Sequence, residues 1–96
     1  MQTETDRKNA AISASEVAAF KADPPEKYFL YINETEKTAT TWTGDRLGSC
    51  LFGREWRDNF GGIRVPVEIR AINGHRYHGT YYKSSGDYAR VTRFKS

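Results

Sequence analysis

The stretch IRVPVEIRAI, residues 63–72, followed at once by Asn73-Gly74, constrains this chain more than any other feature. Ile63, Val65, Val67, Ile69 and Ala71 alternate with Arg64, Pro66, Glu68 and Arg70. A period of two over so many residues means a β-strand with one buried and one wet face. Pro66 has no amide to give to a ladder, so it belongs at an edge or a bulge. Asn-Gly is a strong hairpin signal, and the length of its loop sets the register of the next strand. A two-residue loop would place His78 opposite Ile69 and Thr80 opposite Val67, bringing polar groups onto the apolar face. A three-residue loop with Gly74 left-handed instead pairs Ile69 with Tyr77, Val67 with Gly79 and Val65 with Tyr81, and sets Glu68 beside His78. A slip of one residue turns a whole strand over, so burial selects the second arrangement.

The rest of the chain reads in the same way. YFLYIN (28–33) is a strand, Glu34–Lys37 a polar turn, and TATTWT (38–43) a second strand of high β-propensity. Gly44-Asp45 marks a turn before the strand RLGSCLF (46–52), and Ser84–Asp87 closes a hairpin onto YARVTRF (88–94). The expected fold is mainly β, or α+β at most. It is a short N-terminal helix followed by a five- to six-stranded antiparallel meander, curled into a small SH3-like or OB-like barrel. Residues 1–12 are polar and aperiodic and predict a mobile tail, leaving 13–96 as one small domain. Ser13-Ala14-Ser15-Glu16 fits a capping box, so a helix is expected over 14–22, docking Val17 and Phe20 and ending before Pro24-Pro25.

Catalytic patterns are missing. The only cysteine, Cys50, shares strand parity with Phe52 and reads as a small buried residue. His75 and His78 fall on opposite faces of one strand and cannot jointly hold a metal, and one cysteine excludes zinc-ribbon spacing. The glycines form neither a dinucleotide fingerprint nor a phosphate loop. No enzyme activity, metal or cofactor is expected. One cysteine permits no internal disulfide, and no apolar run approaches the ~18–20 residues that span a bilayer. A soluble, cytoplasmic protein is the expectation.

Charge and rings concentrate in the second half. Residues 1–45 carry five Lys/Arg against eight Asp/Glu, whereas residues 46–96 carry ten against four, eight of the ten being arginine. Arginine suits forked contacts with carboxylate or phosphate and stacks on rings. The loop GREWRDNFGG (53–62) needs its glycines to turn, but folding gives it no use for Trp56, Phe60, Arg54 and Arg57 together. Either its rings fill the core, or at least one is held out on the loop with Arg54 and Arg57 framing a contact patch. Arg64, Arg70, Arg76, Lys83, Arg90 and Arg93, with Tyr82 and Tyr88 among them, extend the candidate surface. Such a surface serves a protein partner, since Trp, Tyr and Arg dominate interface hot spots. It serves a single-stranded nucleic acid equally, with rings for bases and cations for the backbone.

The stretch NFGGIRVPVEIRAINGHRYHGTYYKSSGDYARV, with TTWTGDRLG upstream, resembles small proteins encoded by bacteriophages and prophages, over about residues 40–94. The resemblance carries no diagnostic motif and hence no mapped site. It implies a stoichiometric binder, such as an inhibitor of a host or defence protein or nucleoprotein complex (a CRISPR effector among them), or a handler of phage nucleic acid, in a bacterial host.

Overall fold

A computed structural model describes residues 4–95 of the chain. Helix α1 (Glu4–Ala22) precedes seven strands: β1 (Lys27–Asn33), β2 (Thr38–Thr40), β3 (Arg46–Phe52), β4 (Trp56–Arg57), β5 (Ile63–Ala71), β6 (Arg76–Tyr82) and β7 (Tyr88–Arg93). All pairings are antiparallel, and six strands follow chain order around a ring, β1–β2–β3–β5–β6–β7. The ring closes where β7 returns to β1, from Lys27↔Thr92 to Tyr31↔Tyr88. The protein is therefore mainly β, a small closed barrel with β4 as an additional strand. Because β3 covers β5 only from Val67 to Ala71, β4 has room to pair with Ile63 and Arg64. Pro66 lies in the gap between those two pairings, where its carbonyl accepts from the Gly53 amide at 2.8 Å. A missing amide is tolerated at that edge.

The β5–β6 register is the one that burial selects: Ile69↔Tyr77, Val67↔Gly79 and Val65↔Tyr81, with Glu68↔His78 outside. Gly74 is left-handed at φ 86°, and the Gly74 amide bonds the Ala71 carbonyl. Tyr77 and Tyr81 are fully buried and join Leu30, Ile32, Leu47, Val65, Val67, Ile69 and Val91 in the barrel interior. Each such side chain contributes roughly 1.5–3 kcal/mol by leaving water. Helix α1 supplies the plug for one end. Phe20 is buried against Tyr28 and Tyr77, at ring separations of 5.0 and 5.8 Å, and Val17 packs beside it. The Tyr77 hydroxyl donates to the Pro25 carbonyl, and the Asn73 side-chain amide donates to the Phe20 carbonyl near the helix end.

Two local expectations are corrected. The helix begins at Glu4, not at residue 14, so residues 4–12 of the expected tail are helical, and residues 1–3 lie outside the described residues. Ser13 is therefore no cap. Its hydroxyl is buried inside the helix–barrel contact, 2.6 Å from the Thr41 hydroxyl and 2.5 Å from Asp45 Oδ2, while Glu16 accepts from the Tyr28 hydroxyl. A docked segment removes the cost of nucleation, and propagation toward the N-terminus is then cheap. The strand expected over 38–43 stops at Thr40. Thr41 is buried and its hydroxyl takes the Asp45 amide, while the Gly44 amide bonds the Thr41 carbonyl, so a tight turn outweighs the β-propensity of Thr41, Trp42 and Thr43.

Candidate functional site

Strand alternation sends one set of side chains out of the barrel, and register lines them up across strands. On the outer face Tyr31 lies opposite Tyr88, Tyr88 opposite Tyr82, Tyr82 opposite Arg64, and Arg64 opposite Trp56. One continuous row thus crosses β1, β7, β6, β5 and β4. Tyr82 and Tyr88 stack at 4.9 Å between ring centres, and Phe29, a diagonal neighbour on β1, stacks on Tyr88 at 4.9 Å. Tyr31 meets Phe29 edge-on at 5.5 Å. The Arg64 guanidinium sits 4.6 Å from the Tyr82 ring centre and 5.8 Å from that of Trp56. Each stacked pair adds about 0.5–1.5 kcal/mol beyond burial, and each cation–π contact about 0.5–1 kcal/mol at an exposed site. The ladder therefore stiffens the sheet, and it also presents a broad ring-rich surface.

Loop 53–62 ends that row, and one carboxylate holds it in shape. Asp58 Oδ1 accepts from the backbone amides of Phe60 (2.9 Å) and Gly62 (2.8 Å). Its other oxygen takes Arg64 Nε and Nη2, both at 2.9 Å. The bonds from Gly62 and Phe60, then Arg64, hold the Asp58 carboxyl below its usual range. Gly61 supplies the left-handed residue of the turn at φ 80°. A Cβ on Gly62 would come within 2.8 Å of the Asp58 carboxylate, so a side chain there would push that carboxylate off its bonds. The product of this bracing is an outward ring: Phe60 is 96% exposed and Trp56 50%. Arg54 and Arg57 are exposed on either side of Trp56. Neither loop ring fills the core.

The other residues expected at the surface divide into groups. Arg64 belongs to the ladder. Lys83 lies at its margin, bonded to Glu34 at 3.1 Å and Glu55 at 3.4 Å. Arg90 is exposed and pairs in register with Phe29. Arg70 and Arg76 face each other across β5 and β6, far down the strand from Arg64, with Arg76 against Glu68 and the Phe94 ring. Six residues separate Arg64 from Arg70, about 20 Å of strand. Arg93 donates to the Pro24 carbonyl at 2.7 Å and serves the helix–barrel connection. Phe29 and Tyr31 lie outside the surface expected from the sequence, because only β1–β7 closure brings them to Tyr88.

Cys50 is buried in the barrel, and burial pushes its thiol up to about 12. Among the described residues no group of three or more His, Cys, Asp or Glu is placed to hold a metal ion, and no helix is long and apolar enough to cross a membrane. No protein-family model matches the chain, and no curated protein or solved structure matches it.

Proposed function

We propose that this barrel is a non-enzymatic protein-binding module acting stoichiometrically, with Phe60 and Trp56 as its anchor and the ladder as the adjoining contact face. The observation that carries the reading is an almost fully exposed phenylalanine on a loop held rigid by four bonds to one carboxylate. Leaving a large ring in water has no benefit to folding, and bracing it in advance reduces the ordering cost of binding. The ladder favours a protein over a nucleic acid. Its inner rings spend their faces on one another, leaving edges and hydroxyls, whereas a base needs a free face. Charge points the same way. Arg64 is neutralised by Asp58 and Lys83 by Glu34 and Glu55, so two of the cations along the ladder and loop are already spent, and Arg54 and Arg57 remain. Binding to a phosphate backbone relies on cations not already neutralised. The resemblance to small phage-encoded proteins points to a host or defence protein, or nucleoprotein complex, as the partner, and to inhibition as the effect.

Capture from bacterial lysate by the tagged protein, with and without nuclease, tests the reading when run beside Phe60→Ala and Arg54→Ala/Arg57→Ala. A protein retained after nuclease by the native chain and lost by both variants is the expected result. Loss of capture with nuclease, and single-strand affinity falling by about 0.7 log units per log salt for each neutralised phosphate, would replace it with the single-stranded nucleic-acid reading.

A further inference from the structure

A cavity of about 520 Å³ opens between the β1–β2, β2–β3 and β6–β7 turns, lined by Tyr31, Ile32, Glu34, Trp42, Tyr81 and Asp87 among others. That volume falls within the roughly 300–1,000 Å³ of small-ligand sites. The chain carries a net charge of +3, yet the described residues around this cavity include two carboxylates and no Lys, Arg or His. The carboxylates stand beside rings. Tyr81 has one phenolic proton and two acceptors within reach, Asp87 Oδ1 at 2.9 Å and Glu34 Oε2 at 3.5 Å. The phenol donates to the nearer, Asp87, so Glu34 Oε2 has no close donor in Tyr81, and both carboxylates keep their charge. Lys83 faces both Glu34 and Glu55, so one ammonium is shared between two carboxylates and a net negative charge remains beside the cavity. Trp42 is 56% exposed, on a turn where folding has no need of an indole. The floor is fixed, because Thr41 is buried and bonded to Ser13 of the helix and to the Asp45 amide.

We propose that this cavity is a binding site for an alkylammonium or guanidinium group. The negative faces of the indole and phenol rings attract a cation within about 6 Å of the ring centre, the carboxylates oppose its charge, and Ile32 and the Trp42 ring receive its apolar stem. Two sources carry that group: a lysine or arginine side chain of a partner protein, and a free polyamine. The site shares no lining residue with loop 53–62, although Lys83 links Glu34 to Glu55 of that loop, and its test needs no partner of the loop.

The test follows Trp42 and the neighbouring amides in ¹H–¹⁵N spectra of the intact chain at constant ionic strength. Probes are n-butylammonium and n-butylguanidinium, with n-butanol as the neutral control. Saturable shifts of the Trp42 indole N–H and the Glu34 and Asp87 amides are expected with the cations and not with butanol. Trp42→Ala and Glu34→Gln/Asp87→Asn should each weaken binding at least tenfold. Both variants should fold, since Trp42 is on an exposed turn, the amides keep the acceptors of Tyr81, and Asn tolerates the φ of 56° at Asp87. A capped peptide with one lysine or arginine binding tighter than spermidine assigns the source to a partner side chain, and the reverse order assigns it to a free polyamine. Equal shifts with butanol, no saturable shift with either cation, or unchanged binding by the folded variants would overturn the proposal.

Discussion

Gly79 sits on the inner face of β6, paired with Val67 on one side and Val91 on the other. A Cβ built there would lie 2.8 Å from Val91 Cα and 2.9 Å from the Arg90 carbonyl carbon, and closer still to the Arg90 carbonyl oxygen. Ordinary contact for such a carbon begins near 3.4 Å, and all three atoms are backbone, with no side chain to rotate aside. β7 would have to move away along a ladder of six paired residues, and β7 also closes the barrel against β1. Overpacking a core ordinarily costs about 1–3 kcal/mol. A clash confined to backbone at the closing strand should reach the top of that range or beyond it. A domain of this size has about 5–14 kcal/mol in all. Urea denaturation of Gly79→Ala, with the neighbouring Thr80→Ala as control, measures the difference. A loss of 3 kcal/mol or more for Gly79→Ala, against under about 1 kcal/mol for the control, is expected. A loss below 1 kcal/mol would mean that β6 and β7 are not this close, and the closed ring would have to be given up.

Three further outcomes follow from single contacts. Ser13→Ala removes the buried hydroxyl that ties α1 to Thr41 and Asp45, and should lower stability by about 1–3 kcal/mol; an unchanged melting curve would detach the helix from the barrel. Asp58 has a lowered pKa, so its contribution is complete above its unfolded value near 3.9 and is lost as pH falls through the lower folded value. The Phe60 and Gly62 amide shifts should titrate with a midpoint below about 3.9, and a midpoint at or above it would contradict the braced loop. Cys50, its thiol pushed up to about 12 by burial, should resist a disulfide reagent at pH 8 until the chain is unfolded; prompt native labelling would mean that the strand opens.

Much of the barrel is legible in the sequence where local choices agree. The pairing of Ile69 with Tyr77 follows because the alternative places His78 and Thr80 on the apolar face, a conflict that any reader of the alternation can see. The helix start is illegible for the opposite reason. Ser13 fits a cap locally, but its partners Thr41 and Asp45 lie 28 and 32 residues away. For the loop rings the sequence leaves two readings open, a core role or at least one ring held out, and the exposure of both Trp56 and Phe60 is seen only in the fold. The ladder is only half visible. The Tyr82–Tyr88 pair is local to one hairpin, whereas Phe29 and Tyr31 reach it through barrel closure. Alternation also marks Arg64, Arg70, Arg76 and Arg93 without giving their height on the barrel. Strand length separates Arg70 and Arg76 from the loop, and the Pro24 carbonyl engages Arg93.

The most direct measurement is the dissociation constant of the captured partner protein for the native chain and for Phe60→Ala, by calorimetry, beside their melting temperatures. At 96% exposure Phe60 contributes no burial to the fold, so the two melting temperatures should agree. A hot-spot ring is worth about 2 kcal/mol or more, so binding should weaken at least about thirtyfold. Equal affinities at equal stability would contradict the account and move the functional surface away from loop 53–62.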